Sequence, residues 1–211
     1  MEYKIKKLLV FCFAVISASG INIELATVAS AAPVEAATIA AHLSSVKSMS
    51  GDFVQSGPKG QKTSGRFFLQ RPGKLRFNYA GQSGVSLIAD GKSVVIYNKK
   101  LKTSRLYALA KTPLKLLLDD KVEFSGNRLK SIRDEGAQVI IKLADKSAFG
   151  NSNIAMVFDR KSLDLLRWSL TDERDQITTV TISNVKEGVR APPGTFNIDY
   201  AANREFNTTT K

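Results

Sequence analysis

The chain has 211 residues, with 31 lysines and arginines against 19 aspartates and glutamates, a single cysteine and a single histidine. One cysteine excludes an intrachain disulfide framework, and one histidine leaves little material for a metal centre or a catalytic triad. The formal net charge of +12 favours an anionic partner such as a nucleic acid, an anionic membrane surface or an acidic protein.

The N-terminus predicts a secretory signal peptide. Three lysines precede an apolar, uncharged run over residues 8–18, which is short for a membrane span. Small residues follow, so we expect cleavage after Ala31 or Ala32. This assigns residues 1–31 to the signal peptide and residues 32–211 to one exported domain, which is long enough to bury its own core. Export argues against a nucleic acid as the partner.

The only cysteine, Cys12, lies early in the apolar run. Val10 and Phe11 precede it where a lipidation site needs small residues, so we expect no lipid anchor. The signal peptide removes three lysines and two glutamates. The exported chain then keeps 28 basic and 17 acidic residues, a net charge of +11, and no cysteine.

Helical spacing appears in two places. Over residues 34–49 apolar side chains recur among alanines, which predicts an amphipathic helix that ends at Gly51. A short, leucine-rich second helix is predicted to begin at Pro113 with Thr112 as its N-cap. We interpret this second helix as a lid.

The rest of the exported chain predicts strands, because short runs of period two alternate with turn residues. Asp90-Gly91 predicts a tight hairpin, and the connections are too short for parallel crossovers, so we expect an antiparallel meander. The eleven predicted strands cover residues 52–56, 65–70, 74–80, 85–89, 93–97, 103–109, 128–134, 138–144, 153–159, 164–171 and 176–184.

Alternation gives this sheet one apolar face. Two small helices cannot fill the apolar face of eleven strands, so we predict a hydrophobic cavity under the lid. For each wall position the alternative is an ordinary core residue. The candidate wall residues are Leu75, Phe77, Tyr79, Val139, Ile141, Trp168 and Leu170, and the candidate lid residues are Leu114, Leu117 and Leu118.

Four segments carry a resemblance to a known family. Residues 71–79 read Arg-Pro-Gly-Lys-Leu-Arg-Phe-Asn-Tyr. They resemble, without a gap, the Arg-Pro-Gly-basic-aromatic-Arg-Trp-Asp-Tyr segment of the outer-membrane lipoprotein carrier protein family, LolA. Residues 87–97 resemble that family's Leu-Ile-Ser-Asp-Gly-Lys hairpin and the strand after it. Residues 112–118 resemble its lid segment, and residues 51–55 its first strand. The resemblance extends over residues 36–200.

The resemblance implies a mainly β fold, an incomplete, strongly curved antiparallel β-barrel closed by helices. It also implies a periplasmic carrier in a Gram-negative bacterium. Such a carrier takes the acyl chains of lipoproteins from an inner-membrane release complex to an outer-membrane receptor. Arg71 matches the family arginine that hydrogen-bonds to the lid and holds the empty state closed; the alternative is a solvated arginine at a strand end.

The C-terminal part both follows and departs from the family pattern. Residues 192–199 resemble a closing strand. Many members continue with a further loop and strand, whereas this chain continues with the polar residues 203–211. We therefore carry over no receptor or release step that depends on that extension.

Other functions fit the sequence less well. His42, the sole histidine, lies among alanines on the first helix, and Asp119 and Asp120 adjoin a helix end without a histidine or cysteine partner. We therefore expect no enzyme, no metal and no cofactor. We also expect a monomer. The open alternative is a carrier or sensor of another lipid, such as a phospholipid, because fold alone does not separate these functions.

Overall fold

One eleven-stranded antiparallel sheet contains about half of the described residues, in a computed structural model that describes residues 35–81, 84–147, 150–201 and 203. The predicted signal peptide and its cleavage site lie outside these residues. The eleven predicted strands are confirmed. They are β1 (Ser48–Ser56), β2 (Lys62–Gln70), β3 (Lys74–Tyr79), β4 (Val85–Asp90), β5 (Ser93–Asn98), β6 (Thr103–Ala108), β7 (Leu129–Asp134), β8 (Gln138–Ser147), β9 (Gly150–Asp159), β10 (Leu165–Thr171) and β11 (Ile177–Glu187).

The strand order differs from a simple meander at one point. It runs β6-β5-β4-β3-β2-β1-β11-β10-β9-β8-β7, so the first strand pairs with the last one. The two edges, β6 and β7, are consecutive in sequence. The connection between them is long enough to cross from one edge to the other, and it contains the lid. The expectation that every strand pairs with its neighbours along the chain was therefore wrong at β6 and β7.

The sheet is open at β6 and β7 and strongly curved. Phe77 on β3 and Trp168 on β10 are four strand positions apart, which in a flat sheet would separate them by about 19 Å. Their ring centroids lie only 6.2 Å apart. The inner face therefore folds over on itself, as an incomplete barrel requires.

Two α-helices lie within the described residues, α1 (Ala36–Ser45) and α2 (Leu114–Leu118). The prediction that the first helix extends to Gly51 was wrong, because Gly51 lies inside β1. A side chain there would meet the carbonyl of Ser183 at 2.7 Å and the ring of Phe67 at 2.9 Å. Glycine is thus required by the close approach of neighbouring strands and not by a helix end.

The segment after β11 crosses the outer face of the sheet. The prediction of a closing strand over residues 192–199 was wrong, since none of these residues lies in a strand and residues 193–196 form turns. The Tyr97 hydroxyl donates to the carbonyl of Asp199 (2.9 Å), and Ile198 packs against a small outer cluster that includes Val95. Two adjacent prolines remove backbone donors that a strand would need. The segment instead packs on the apolar side chains of the outer face of β4 and β5.

Candidate ligand cavity

A cavity of about 300 Å³ lies between the inner face of the sheet and α2. Most of its lining is apolar. Five of the seven predicted wall residues line it: Leu75, Phe77, Tyr79, Trp168 and Leu170. The structure thus brings together side chains from β3 and β10 that are about 90 residues apart in the sequence.

Val139 and Ile141 do not line this cavity, so their assignment to its wall is corrected. Both are 0% exposed and belong to the main core. Val139 pairs across the strands with Phe158, and Phe124 packs its ring 6.0 Å from that of Phe158. This part of the inner face is covered by the segment that follows α2, which leaves no space above it.

The prediction missed several lining residues. They are Gln55, Leu87, Val94, Ile96, Tyr107, Thr112, Pro113, Ile154, Met156, Thr178 and Val180. On β5 the sequence does not show which side chains face inward, because Val94, Val95 and Ile96 are consecutive and all apolar. The C-terminal segment buries the outer face of this strand, so both faces carry apolar side chains and alternation does not mark the inner one.

Aromatic side chains form the wall on the β3 side. The rings of Phe53 and Phe77 stack with centroids 4.4 Å apart, and Tyr79 meets Phe53 edge to face at 5.0 Å. The Tyr79 hydroxyl donates to Oε1 of Gln55 (2.8 Å). Burial raises the pKa of Tyr79 to about 12, so the wall is uncharged at neutral pH.

The lining of the cavity becomes more exposed toward one set of strand ends. Along β3 the lining changes from buried Leu75 to half-buried Tyr79, the last residue of that strand. Along β5 it changes from buried Val94 to Ile96, which is 38% exposed. We call this end, where Gln55 of β1 also lies, the mouth of the cavity.

The lid α2 is a single helical turn. Pro113 is its N-cap, not Thr112 as predicted, because the Thr112 hydroxyl instead donates back to the Leu109 carbonyl (2.9 Å). Leu114 and Leu117 line the cavity. Leu118 does not. It is buried in the main core, and its carbonyl accepts a hydrogen bond from the Gly73 amide (2.8 Å).

Arg71 lies between the lid and the start of β1. Its side chain is buried (5% exposed), which excludes the solvated strand-end arginine. Nη1 donates to the carbonyls of Leu117 and of Asp119 (2.9 Å), and Nε donates to the carbonyl of Val46 (3.1 Å). The contacts place Arg71 on the lid backbone, and its role as a latch stays a prediction.

Burial of the charged Arg71 side chain is energetically unfavourable. Burial lowers the pKa of Arg71 to about 10, against the opposing effect of the Asp119 and Asp120 carboxylates, so the side chain stays protonated at neutral pH. Nη2 has no hydrogen-bond partner among the described residues. Because a buried unpaired donor is unfavourable, the arginine favours the closed lid only moderately.

The end of the lid is exposed, and its acidic residues are paired. Asp119 contacts Lys115, and Asp120 Oδ1 lies 2.8 Å from Lys47 Nζ. Such exposed ion pairs contribute about 0 to 1 kcal/mol. In the described ranges no group of three or more His, Cys, Asp or Glu side chains is arranged to hold a metal ion. No described helix is long and apolar enough to cross a bilayer.

The fold and the cavity define an open half-barrel with an apolar cavity under the short helix α2. The model of the family "Outer membrane lipoprotein carrier protein LolA" matches residues 44–199, and the chain belongs to this family.

Relatives named outer-membrane lipoprotein carrier protein include two that cover most of this chain. That of Methylococcus capsulatus is 30% identical over 166 residues, covering 73% of this chain and 78% of the relative. That of Chromobacterium violaceum is 27% identical over 176 residues, covering 79% and 85%. Among solved structures, a LolA superfamily protein from Nitrosomonas europaea covers 80% of this chain and 100% of its own, with 10% identity and a TM-score of 0.42.

Proposed function

We propose that this protein is a carrier, and not an enzyme, that moves lipoproteins through the periplasm of a Gram-negative bacterium. It would receive the acyl chains from an inner-membrane release complex and deliver them to the outer membrane, with an outer-membrane receptor as a further partner. The observation that carries the proposal is the apolar cavity beneath α2, a short helix whose end accepts hydrogen bonds from the buried Arg71. Family membership supports the same cargo.

The lining suits a hydrocarbon chain. Each methylene group transferred from water into such a cavity is stabilised by about 0.8 kcal/mol, so an acyl chain gains most of its affinity without a specific polar contact. The aromatic wall of Phe77 and Trp168 and the aliphatic Leu75 and Leu117 offer that surface. A carrier of varied lipoproteins needs this kind of binding, because it recognises the chain and not the attached protein.

The size of the cavity implies a moving lid. About 300 Å³ lies at the lower end of the range for ligand pockets, so a lipoprotein with several acyl chains requires more space than the closed state provides. Opening would separate α2 from Arg71 and break its bonds to Leu117 and Asp119. A charge-assisted hydrogen bond contributes about 1.5 to 3 kcal/mol, which is enough to shift the equilibrium between closed and open states by tenfold or more.

A transfer assay tests the proposal. The exported chain would be incubated with donor vesicles that contain a fluorescent, acylated lipoprotein, and the soluble fraction and acceptor vesicles would then be analysed. We expect a soluble complex and transfer that increases with protein concentration. If no soluble complex forms, the proposal is wrong. If phospholipid, identified by mass spectrometry, occupies the protein and lipoprotein does not displace it, the protein carries or senses another lipid.

Localisation has its own test. Cell fractionation followed by N-terminal sequencing should find the protein in the periplasm, starting at Ala32 or Pro33. A cytoplasmic protein that starts at Met1 would contradict the carrier function.

A further inference from the structure

The tip of the β5–β6 hairpin combines an exposed leucine with three lysines. Leu101 is 67% exposed, the largest value among the exposed large apolar side chains in the described ranges. Lys99, Lys100 and Lys102 surround it, and all three are exposed. None of them forms an ion pair with another described residue. The tip therefore presents one large apolar side chain within a cluster of exposed positive charges.

The tip has a defined conformation. The Leu101 amide donates to Oδ1 of Asn98 (3.0 Å), and the Lys99 amide donates to the Gly84 carbonyl of the neighbouring turn (2.9 Å). Lys102 has a positive φ of 50°, which is uncommon for a residue with a side chain. The backbone is thus held in a turn that presents Leu101 outward.

The tip lies beside the mouth of the cavity. Ile96, which lines the mouth, is two residues from the end of β5, and the strand leads directly into the tip. Tyr79 is the last residue of β3, whose following turn is hydrogen-bonded to the tip through Gly84. Whatever surface binds the tip therefore lies close to the entrance of the cavity.

Charge is distributed unequally around the mouth. At the same end, the β1–β2 turn carries Lys59 and β2 begins with Lys62, both exposed. The β10–β11 turn, which follows the cavity-lining strand β10 at this end, carries three acidic residues, Asp172, Glu173 and Asp175, and one basic residue, Arg174, so that its net charge is negative. An anionic surface would therefore attract the β1–β6 side of the mouth and repel the β10–β11 side.

We propose that the tip, residues 99–102, docks the protein on an anionic phospholipid bilayer, with Leu101 in the interface and the three lysines at the lipid phosphates. An apolar side chain combined with a basic cluster is the pattern of reversible interfacial binding. The mouth of the cavity then faces the membrane, so that an acyl chain crosses little water on its way in or out. The proposal concerns the outer surface and not the contents of the cavity, so it fails or holds separately from the proposed function.

Vesicle flotation of the exported chain without cargo tests the docking surface. The vesicles would contain phosphatidylethanolamine with phosphatidylglycerol, or phosphatidylcholine alone. We expect binding to the anionic vesicles only, weakening as ionic strength increases. Equal binding to both kinds of vesicle, or no binding to either, would overturn the proposal. So would binding to an acidic protein surface in the absence of any vesicle binding.

Matched variants locate the surface. Replacing Lys99, Lys100 and Lys102 together by Gln should weaken binding on the order of 100-fold, about fivefold for each lysine. The control replaces the exposed Lys130, Lys142 and Lys186 by Gln and makes the same change in net charge on β7, β8 and β11. An equal loss in both variants would show that net charge alone matters, and the proposal would be wrong.

The leucine has a separate test. Leu101→Asn should weaken binding by about threefold to tenfold, whereas Ile132→Asn on the edge strand β7 should not. Leu101→Trp should bind at least as well as the native chain, and its emission should shift to shorter wavelength when anionic vesicles are added. No loss in Leu101→Asn and no spectral shift in Leu101→Trp would show that the tip stays in water.

Discussion

Two parts of the same inner sheet face have opposite packing. On β8 the inward side chains, including Leu143, are completely buried in the core. On β4 and β5 the inward Leu87 and Ile96 line a cavity and stay partly exposed. Both parts carry apolar side chains on the inner face, so the difference does not come from the strands. It comes from what covers them.

The two covers differ in how firmly they are attached. Over β8 and β9, the segment after the lid inserts Val122 and Phe124, and the Val122 amide donates a hydrogen bond to the Ser44 hydroxyl of α1 (2.8 Å). Over β3 to β5 the cover is the single turn α2, with Leu114 and Leu117 above the cavity. One cover completes a core, and the other leaves a cavity beneath it.

The largest expected effect contrasts the two parts directly. Leu143→Ala should lower the free energy of unfolding by about 3 to 5 kcal/mol, because it leaves a hole in a packed core. Leu87→Ala removes the same atoms from the wall of an existing cavity and should cost only about 1 to 2 kcal/mol. Denaturant unfolding of both variants measures the difference. Equal losses would mean that the cavity wall is packed as tightly as the core.

The next effect concerns the attachment of the lid. Arg71→Leu removes the hydrogen bonds to Leu117 and Asp119, so the closed state loses about 1.5 to 3 kcal/mol and cargo binding strengthens by about tenfold or more. Delivery to acceptor membranes should decrease correspondingly. The measurement is retention and delivery of a bound lipoprotein.

Arg76→Leu is the control for this prediction. Arg76 lies five residues away on β3, and its Nη1 donates to the carbonyl of Thr195 in the C-terminal segment (3.2 Å), away from the lid. We expect native retention and delivery from this variant. If Arg71→Leu behaves like Arg76→Leu while both are folded, Arg71 is not a latch.

The smallest expected effect is on the free energy of unfolding and comes from Asp90. Its carboxylate accepts a hydrogen bond from the Tyr200 hydroxyl in the C-terminal segment. Burial opposes ionisation of Asp90, but hydrogen bonds from the Ser93 and Lys92 amides and from the Tyr200 hydroxyl outweigh it and hold its pKa below the usual range. The folded state therefore binds this proton less readily than the unfolded state. Its stabilisation is complete above the ordinary aspartate pKa of about 4 and is lost as the pH falls through the lower folded value.

Thermal unfolding at neutral and at acidic pH measures this contribution. Between these conditions the native chain should lose up to about 1 kcal/mol more than Asp90→Asn, which cannot ionise. Asp159→Asn is not a suitable control, because its carboxylate also accepts amide hydrogen bonds in a turn. Asp120→Asn, which is exposed and paired only with Lys47, is a better one. Identical pH dependence in the native chain and Asp90→Asn would show that Asp90 does not anchor the segment.

Much of the fold could be predicted because alternation reports directly on the sheet. Leu75, Phe77 and Tyr79 alternate with polar residues, and they do lie on the inner face at the cavity. The same rule selected Val139 and Ile141, which also point inward but lie in the core. Alternation shows which face turns inward and carries no information about what lies above it.

Local sequence patterns could not predict which strands pair or which side chains on the outer face are buried. The β1–β11 pair joins residues about 130 positions apart, such as Phe53 and Ile182. Neither strand carries a sequence pattern that identifies its partner. The C-terminal segment packs on Ile88 and Val95, which from sequence alone resemble ordinary strand residues. Arg71 was found through the family resemblance, since a buried arginine at a strand end has no local signature.

The most direct measurement is calorimetric binding of an acylated peptide to a variant with a filled cavity. Leu87→Trp places a larger side chain in the wall, and Leu106→Trp makes the same change on β6 at a residue outside the cavity lining. With both variants folded, we expect Leu87→Trp to lose at least about tenfold in affinity and Leu106→Trp to bind like the native chain. Native affinity in Leu87→Trp would contradict the account, because the acyl chain would then bind somewhere other than this cavity.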